Sequence, residues 1–334
     1  MRKRILIMTE CSSDIGFGHL TRCQSLANAF RNVGWDACLW VAADEATRIH
    51  LPAGALSIDW HCLLCDAAAE LRRADAVLID SQIATITQIE HIAEINPKIA
   101  ILDDWNRRVY KTGIVIDWTI GAESFAYTEK SANVLYLLGS QYCSMREEFE
   151  QVPQRYFADL PKEILLTFGG SDIRQLTVPV LSKLNDAFPN LHKNIVVGGG
   201  VQDKSFVDEM PYPNTTIHIA CAASKMRMLM SQSDLAICAG GQTLYELASQ
   251  GLPPLVIGVA DDQRDDIQGF EKAGFALVIG DWNMPNLFHS LTAAVRTLWP
   301  EKERRCRSAI GRRSVDGYGA QRLVAACLEH WRIS

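Results

Sequence analysis

The residue in this sequence best suited to moving a proton is a histidine just after a glycine-containing turn. It lies in Ser13-Asp14-Ile15-Gly16-Phe17-Gly18-His19-Leu20-Thr21-Arg22, which follows the apolar run Ile5-Leu6-Ile7-Met8. Leu20, Leu26, Ala27 and Phe30 then recur at helical spacing, so the stretch reads as strand, loop and helix. Gly16 and Gly18 let a ligand come close to the backbone, and the amides that open the helix suit an anion. An imidazole titrates near neutral pH, which fits His19 to general-base work. Taken alone, His19 reads more readily as a helix cap.

Two further clusters have residue types that suit a diphosphate. Ala236-Ile237-Cys238-Ala239 ends in Gly240-Gly241-Gln242-Thr243, so free amides, an amide side chain and a hydroxyl converge where a helix begins. Glu246 falls about one helical turn on, placed to accept hydrogen bonds from a ribose hydroxyl pair. Phe168-Gly169-Gly170-Ser171-Asp172 repeats the strand-to-glycine pattern, with Gly170 and Ser171 as donors. The alternative for both is a plain turn, with Asp172 as a helix N-cap in the second.

The elements that position these residues alternate between strands and helices. Ala37–Val41, Ala76–Ser81, Ile99–Leu102, Ile114–Ile116 and Val134–Leu138 are short apolar runs separated by helical segments, which predicts a parallel sheet covered on both faces. Asp80 lies at the carboxyl end of the second of these runs, where open α/β sheets place ligand contacts. The pattern lapses at 151–161, where Pro153 and Pro161 bracket polar and aromatic residues. It resumes at Glu163–Phe168, Asn194–Val197, Thr216–Ile219 and Ala236–Ala239. The expected division is an N-terminal Rossmann-like domain at 1–150, a linker at 151–161, a nucleotide-binding domain at 162–311 and a terminal helix region at 312–334. A ligand is expected in a cleft between the two domains.

Composition narrows the function classes. The 334 residues suit two domains, and 48% hydrophobic with 22% charged residues describes a globular protein. A net charge of −6 argues against wholesale binding to nucleic acid or anionic membranes. No apolar run is long enough for stable membrane insertion, and the expected compartment is cytoplasmic. The ten cysteines read mainly as small buried hydrophobes. Cys62-Leu63-Leu64-Cys65 beside His61 has metal-like spacing but lacks a second ligand pair, so no metal and no cofactor are expected. Gly16-x-Gly18 lacks a third glycine, Thr21 standing there, which disfavours a dinucleotide-dependent oxidoreductase.

Several motifs then occur together and in order. They are Gly16-Phe17-Gly18-His19, Ile101-Leu102-Asp103-Asp104, Leu138-Gly139 with Arg146-Glu147-Glu148-Phe149, Phe168–Asp172, Ala239–Glu246 and Val315–Ala320 with Arg322. This set resembles the UDP-2,4-diacetamido-2,4,6-trideoxy-β-L-altropyranose hydrolases of pseudaminic acid biosynthesis and their spore-coat polysaccharide relatives. The resemblance implies a GT-B fold of two Rossmann-like domains, UDP held mainly by the C-terminal one, and a terminal helix near Gln321–Trp331 that crosses back to the first. It implies His19 as general base, activating water for an inverting attack on the anomeric carbon without a metal. Asp80-Ser81-Gln82 replaces the family's Asp-Ser-Tyr, and Asp262-Gln263 its Asn-Gln. These departures bear on the sugar, with Gln82, Asp262 and Gln263 as substrate contacts. The alternatives are an inverting glycosyltransferase, with His19 or Asp80 as base and Arg107-Arg108-Val109-Tyr110-Lys111 as a weak acceptor patch, and a non-catalytic nucleotide-sugar binding protein. The expected partner is a nucleotide sugar, and the expected state a monomer or homodimer.

Overall fold

The computed structural model describes residues 2–12, 15–62, 64–104, 106, 108–125, 131–150, 152, 154–201 and 212–332. Ser13 and Asp14 of the histidine loop, Leu63 of the cysteine pair, Arg107, Gln151 and Pro153 lie outside the described residues. Chain contacts divide the protein into one unit of Met1–Arg146 with Tyr318–Ser334 and another of Glu147–Gly317.

The first unit is built on a parallel sheet of β1 (Arg4–Cys11), β2 (Asp36–Ala43), β3 (Leu56–Ser57), β4 (Ala76–Asp80), β5 (Ile99–Leu102), β6 (Gly113–Asp117) and β7 (Val134–Leu138). The spatial order is β3-β2-β1-β4-β5-β6-β7, with every pair parallel. Its strands are continuous apolar runs because both faces are covered: Ile5, Ile7, Met8, Val77 and Leu78 are fully buried. The helices are α1 (Gly18–Asn32), the one-turn α2 (Glu45–Arg48), α3 (Leu64–Arg73) and α4 (Ile86–Ile95). A capping box starts α4: Thr85 Oγ1 accepts the Gln88 amide at 3.2 Å, and Gln88 Oε1 accepts the Thr85 amide at 2.8 Å. Ile89 and Ile92 then pack on Val77, Ile79, Ile99 and Ile101 in one core.

The second unit carries a sheet of β8 (Glu163–Thr167), β9 (His192–Val197), β10 (Thr215–Ile219), β11 (Leu235–Ala239), β12 (Pro254–Gly258) and β13 (Leu277–Asp281). Its order is β10-β9-β8-β11-β12-β13, again all parallel. The helices are α5 (Thr177–Ala187), α6 (Ala223–Gln232), α7 (Gln242–Gln250), α8 (Arg264–Ala273), α9 (Leu287–Thr297) and α10 (Glu301–Ser314). The last helix, α11 (Gly319–Trp331), belongs to the first unit and packs on α1. Arg322 Nε donates to Gln141 O at 2.8 Å, and a side chain at Gly319 would meet Cys143 O at 2.2 Å. The Tyr318-Gly319-Ala320 motif therefore docks this helix.

In each sheet the order reverses beside the first strand, between β1 and β4 in one unit and β8 and β11 in the other. Open α/β sheets bind ligands at the carboxyl ends of strands at such a reversal. The two-residue β3 carries no apolar run and β13 is interrupted by Gly280, so neither stands out in the sequence. The expected linker is instead fastened within the second unit. Arg155 donates to Met230 O, to Ser233 O at 2.5 Å and to Gln250 O at 3.4 Å, and Arg304 donates to Ala158 O at 2.5 Å. Arg155 thereby satisfies carbonyls that end α6 and α7. Arg155→Ala should lower stability by about 1–3 kcal/mol, read from denaturant unfolding of the second unit.

Candidate active site and nucleotide loop

In the first unit the site starts from one buried carboxylate. Asp80, at the end of β4, is 1% exposed. Arg22 Nε and Nη2 donate to its two oxygens, each at 2.6 Å, and Arg22 Nη1 donates to Asp104 Oδ2 at 2.5 Å. Burial disfavours the Asp80 charge, but Arg22 and then His19 outweigh it and hold the carboxyl well below its ordinary 3.8. Burial likewise opposes the Arg22 charge, and Asp104 and Asp80 more than restore it. Trp118 closes the far side, with the guanidinium 5.2 Å from its ring centre.

His19 lies at the start of α1, three residues before Arg22 and so on the same helix face. Its Nδ1 is 2.8 Å from Asp80 Oδ1. An ionised carboxylate only accepts, so Nδ1 carries the proton and Nε2 keeps a lone pair. Arg22 Nη2 lies 3.1 Å from Nδ1 and 2.6 Å from Asp80 Oδ1; a guanidinium only donates, and the shorter contact to the carboxylate is the one compatible with a proton on Nδ1. The side chain is 18% exposed, enough for a proton donor to reach it. Gly16 has φ of 79° and donates its amide to Ser12 O at 2.8 Å, closing the turn ahead of α1, and beside Gly18 the space is open to 4 Å. This is an imidazole held in one tautomer by a buried carboxylate.

A second imidazole–carboxylate pair lies at the same sheet end. Glu10, on β1 and 1% exposed, accepts from Ser81 Oγ at 2.5 Å and from the amides of Gln82 and Ile83 at 2.6 and 3.3 Å. His61 Nε2 is 3.1 Å from its Oε2, and the ring stacks on Trp60 at 3.8 Å. Burial alone would raise the Glu10 carboxyl; His61, Ser81 and the Gln82 amide hold it below its ordinary value instead.

Asp80, expected from the sequence to touch substrate, is placed with both its oxygens in hydrogen bonds to Arg22 and His19. Gln82 is half-buried on the loop that follows, beside the exposed Ile83. Arg22, Glu10 and His61 were not anticipated as site residues. The three-residue spacing from His19 to Arg22 was the available signal. His61 stood out in the sequence only as a neighbour of the cysteine pair, and nothing in its aperiodic loop pointed to Glu10. Among the described residues no group of three or more His, Cys, Asp or Glu side chains could hold a metal ion.

In the second unit the two glycine loops follow β8 and β11, the strands that flank the reversal. Gly198 allows the first loop to lie against β9, since a Cβ there would meet Gly170 O at 2.1 Å. Ser171 is half-buried, and Asp172 accepts the amides of Leu176 and Thr177 at 2.9 and 3.0 Å, which makes it a cap for α5. Gly240 has no room for a side chain, with Ile267 at 2.3 Å, and its amide donates to Gln263 Oε1 at 3.0 Å. Gln263 thus braces the loop, and the half-buried Gly241, Gln242 and Thr243 lie at the start of α7. Glu246 is 4% exposed on α7, more covered than a ribose contact was expected to be. Asp262 is exposed in the turn after β12. Arg174, also unanticipated, donates to Val259 O at 3.0 Å and lies 4.2 Å over the Trp282 ring.

Residues 164–314 match the glycosyltransferase family 28 C-terminal domain. Along the chain the fold is similar to MurG of Acinetobacter baumannii, with a TM-score of 0.64 at 17% identity, covering 98% of this chain and 99% of that one. The fold is GT-B. Among curated proteins, 283 residues are 25% identical to the pseudaminic acid cytidylyltransferase and UDP-2,4-diacetamido-2,4,6-trideoxy-beta-L-altropyranose hydrolase of Helicobacter pylori, covering 82% of this chain and 48% of that protein. The spore coat polysaccharide biosynthesis protein SpsG of Bacillus subtilis is 26% identical over 215 residues, 63% of each. The uncharacterized protein MJ1062 of Methanocaldococcus jannaschii is 26% identical over 282 residues, 80% of this chain and 58% of that one. The chain thus spans about half to three-fifths of the length of these curated relatives. The resemblance to the hydrolase and spore-coat proteins read from the motifs agrees with these matches. No helix of the described residues is long and apolar enough to cross a membrane.

The charge arrangement around Asp80 has a stability consequence. A carboxylate whose pKa is depressed by folding adds stability above its unfolded value, and that stability is lost as pH falls through the folded value. Asp80 and Glu10 both belong to this class. The first unit should therefore weaken progressively below about pH 4 in acid titration of the fold. Asp80→Ala, which leaves the Arg22 charge buried beside Asp104 alone, should cost about 3–5 kcal/mol in denaturant unfolding.

Proposed function

We propose that this protein hydrolyses a nucleotide-activated amino sugar, UDP being the favoured nucleotide, at the anomeric carbon. The observation that carries the reading is the His19–Asp80 pair at 2.8 Å, which leaves Nε2 as a base at the sheet reversal. The activity named for the Helicobacter pylori relative supports the substrate class. The family 28 match to the second unit supports assigning the nucleotide there.

In this reading His19 Nε2 takes a proton from water as the water oxygen bonds to the anomeric carbon. The bond from that carbon to the diphosphate oxygen breaks, its electron pair leaves with UDP, and the sugar departs as the free hemiacetal with inverted configuration. Asp80 stabilises the imidazolium that forms and keeps the ring aligned. Amides of Gly241, Gln242 and Thr243 at the start of α7 stabilise the charge of the departing diphosphate. Ser171 and Gly170 contact the same phosphates, and Asp262 and Gln82 contact the sugar. The site belongs to polysaccharide or nonulosonic acid biosynthesis, with the pseudaminic type favoured by that relative.

A second reading is an inverting glycosyltransferase, favoured by the family 28 match and the MurG-like fold. It uses the same base on an acceptor hydroxyl. UDP release from a UDP-diacetamido sugar in water, without acceptor, supports hydrolysis, whereas turnover that appears only with an acceptor selects the transferase. His19→Ala should lower kcat by about 10²–10⁴-fold and leave UDP affinity within about twofold. Isothermal titration and nucleotide-release assays check both, and an unchanged kcat removes His19 from the chemistry.

A further inference from the structure

We propose that His61, through Glu10, is a positioning residue for the base His19. The proposal rests on the function above, and the connection between the two imidazoles is a single dipeptide. Asp80 and Ser81 are consecutive. The Asp80 side chain grips His19 and Arg22, while Ser81 Oγ donates to Glu10 and lies 3.2 Å from His61 Nε2. Strands β1 and β4 pair with Met8 beside Ile79, which brings Glu10 abreast of Ser81 just beyond the paired residues.

Glu10 is the anchor of everything that follows Asp80. It takes the Ser81 hydroxyl and the amides of Gln82 and Ile83. From the other side Arg108 donates to Ala84 O at 2.7 Å and to Gln82 O at 3.3 Å. The short segment after β4 thus has amides held by a buried anion and carbonyls held by a cation. A buried carboxylate is costly unless its oxygens are hydrogen-bonded, so each donor to Glu10 matters. The titratable group in direct contact with Glu10 is His61.

His61 is itself tightly placed. Its ring stacks on Trp60, whose Nε1 donates to Thr9 O at 2.8 Å, and its carbonyl accepts from Gln88 Nε2 at 2.9 Å. Asp59 Oδ1 faces its Nδ1 at 3.6 Å, and the side chain is 11% exposed. With Glu10 ionised, Nε2 donates and the ring is held in the orientation that keeps the anchor charged. Charged groups around the neighbouring pair are Arg22, Asp80 and Asp104. Removing His61 leaves Glu10 buried without that donor; the Ser81–Ala84 segment loosens and the Asp80 carboxylate shifts with it.

The test compares Glu10→Gln, His61→Ala and His61→Gln, the last retaining a donor. Amide hydrogen exchange at Gln82 and Ile83 should accelerate by about tenfold or more in Glu10→Gln and His61→Ala, with exchange in the second unit unchanged as a control for folding. For nucleotide release, kcat should fall on the order of tenfold in both, with KM within about twofold, and His61→Gln should recover most of it. Unchanged exchange at Gln82 and Ile83 in both variants, or a kcat equal to wild type, overturns the proposal. Loss confined to KM overturns it as well. If the unaltered protein releases no nucleotide from any nucleotide sugar, the functional reading fails, and the exchange comparison alone decides this one.

Discussion

A carboxylate as buried as Asp80 stays ionised only beside a cation that has no better partner, and Arg22 is that cation. Two hydrogen bonds from one guanidinium occupy both Asp80 oxygens while a third reaches Asp104. The arrangement is costly to desolvate, and replacing such groups by apolar ones often leaves a protein no less stable. Its use here is orientation. With the carboxylate fixed and charged, the imidazole ring of His19 has one tautomer and one direction, and the lone pair on the far nitrogen is prepared before any ligand arrives.

The two units solve different electrostatic problems with the same sheet topology. At one reversal of strand order the first unit gathers ionisable side chains: Glu10, His19, Arg22, His61 and Asp80. At the other, the second unit presents backbone, with Gly240 packed too closely for a side chain and Gln263 bracing the loop ahead of α7. Proton transfer needs a group whose charge changes, whereas holding a diphosphate needs fixed partial charges that do not. In the proposed function, the division of residue types between the two loops follows that difference.

Much of this was legible in the sequence because it depends on local patterns. Apolar runs gave both sheets, and glycines at strand ends gave the loops. His19 was singled out by its position after such a turn. What failed to show depends on which side chains meet in space. Asp80 read as a ligand contact since it ends a strand, but only its neighbours reveal that both oxygens are spent. Glu10 hides near the end of an apolar strand, and His61 comes from a stretch without periodicity, so neither announces a partner across the sheet. Glu246 has the right offset along α7 and yet lies covered, because helix spacing fixes direction but not what packs above it.

The placement of α11 has a consequence for how the molecule is made. This helix completes the first unit by covering α1, yet it is synthesised after every residue of the second. Domains otherwise tend to fold in the order they leave the ribosome. Here the surface of α1 must wait, uncovered, while the intervening half is translated. The earlier half of the protein is thus the later one to be finished.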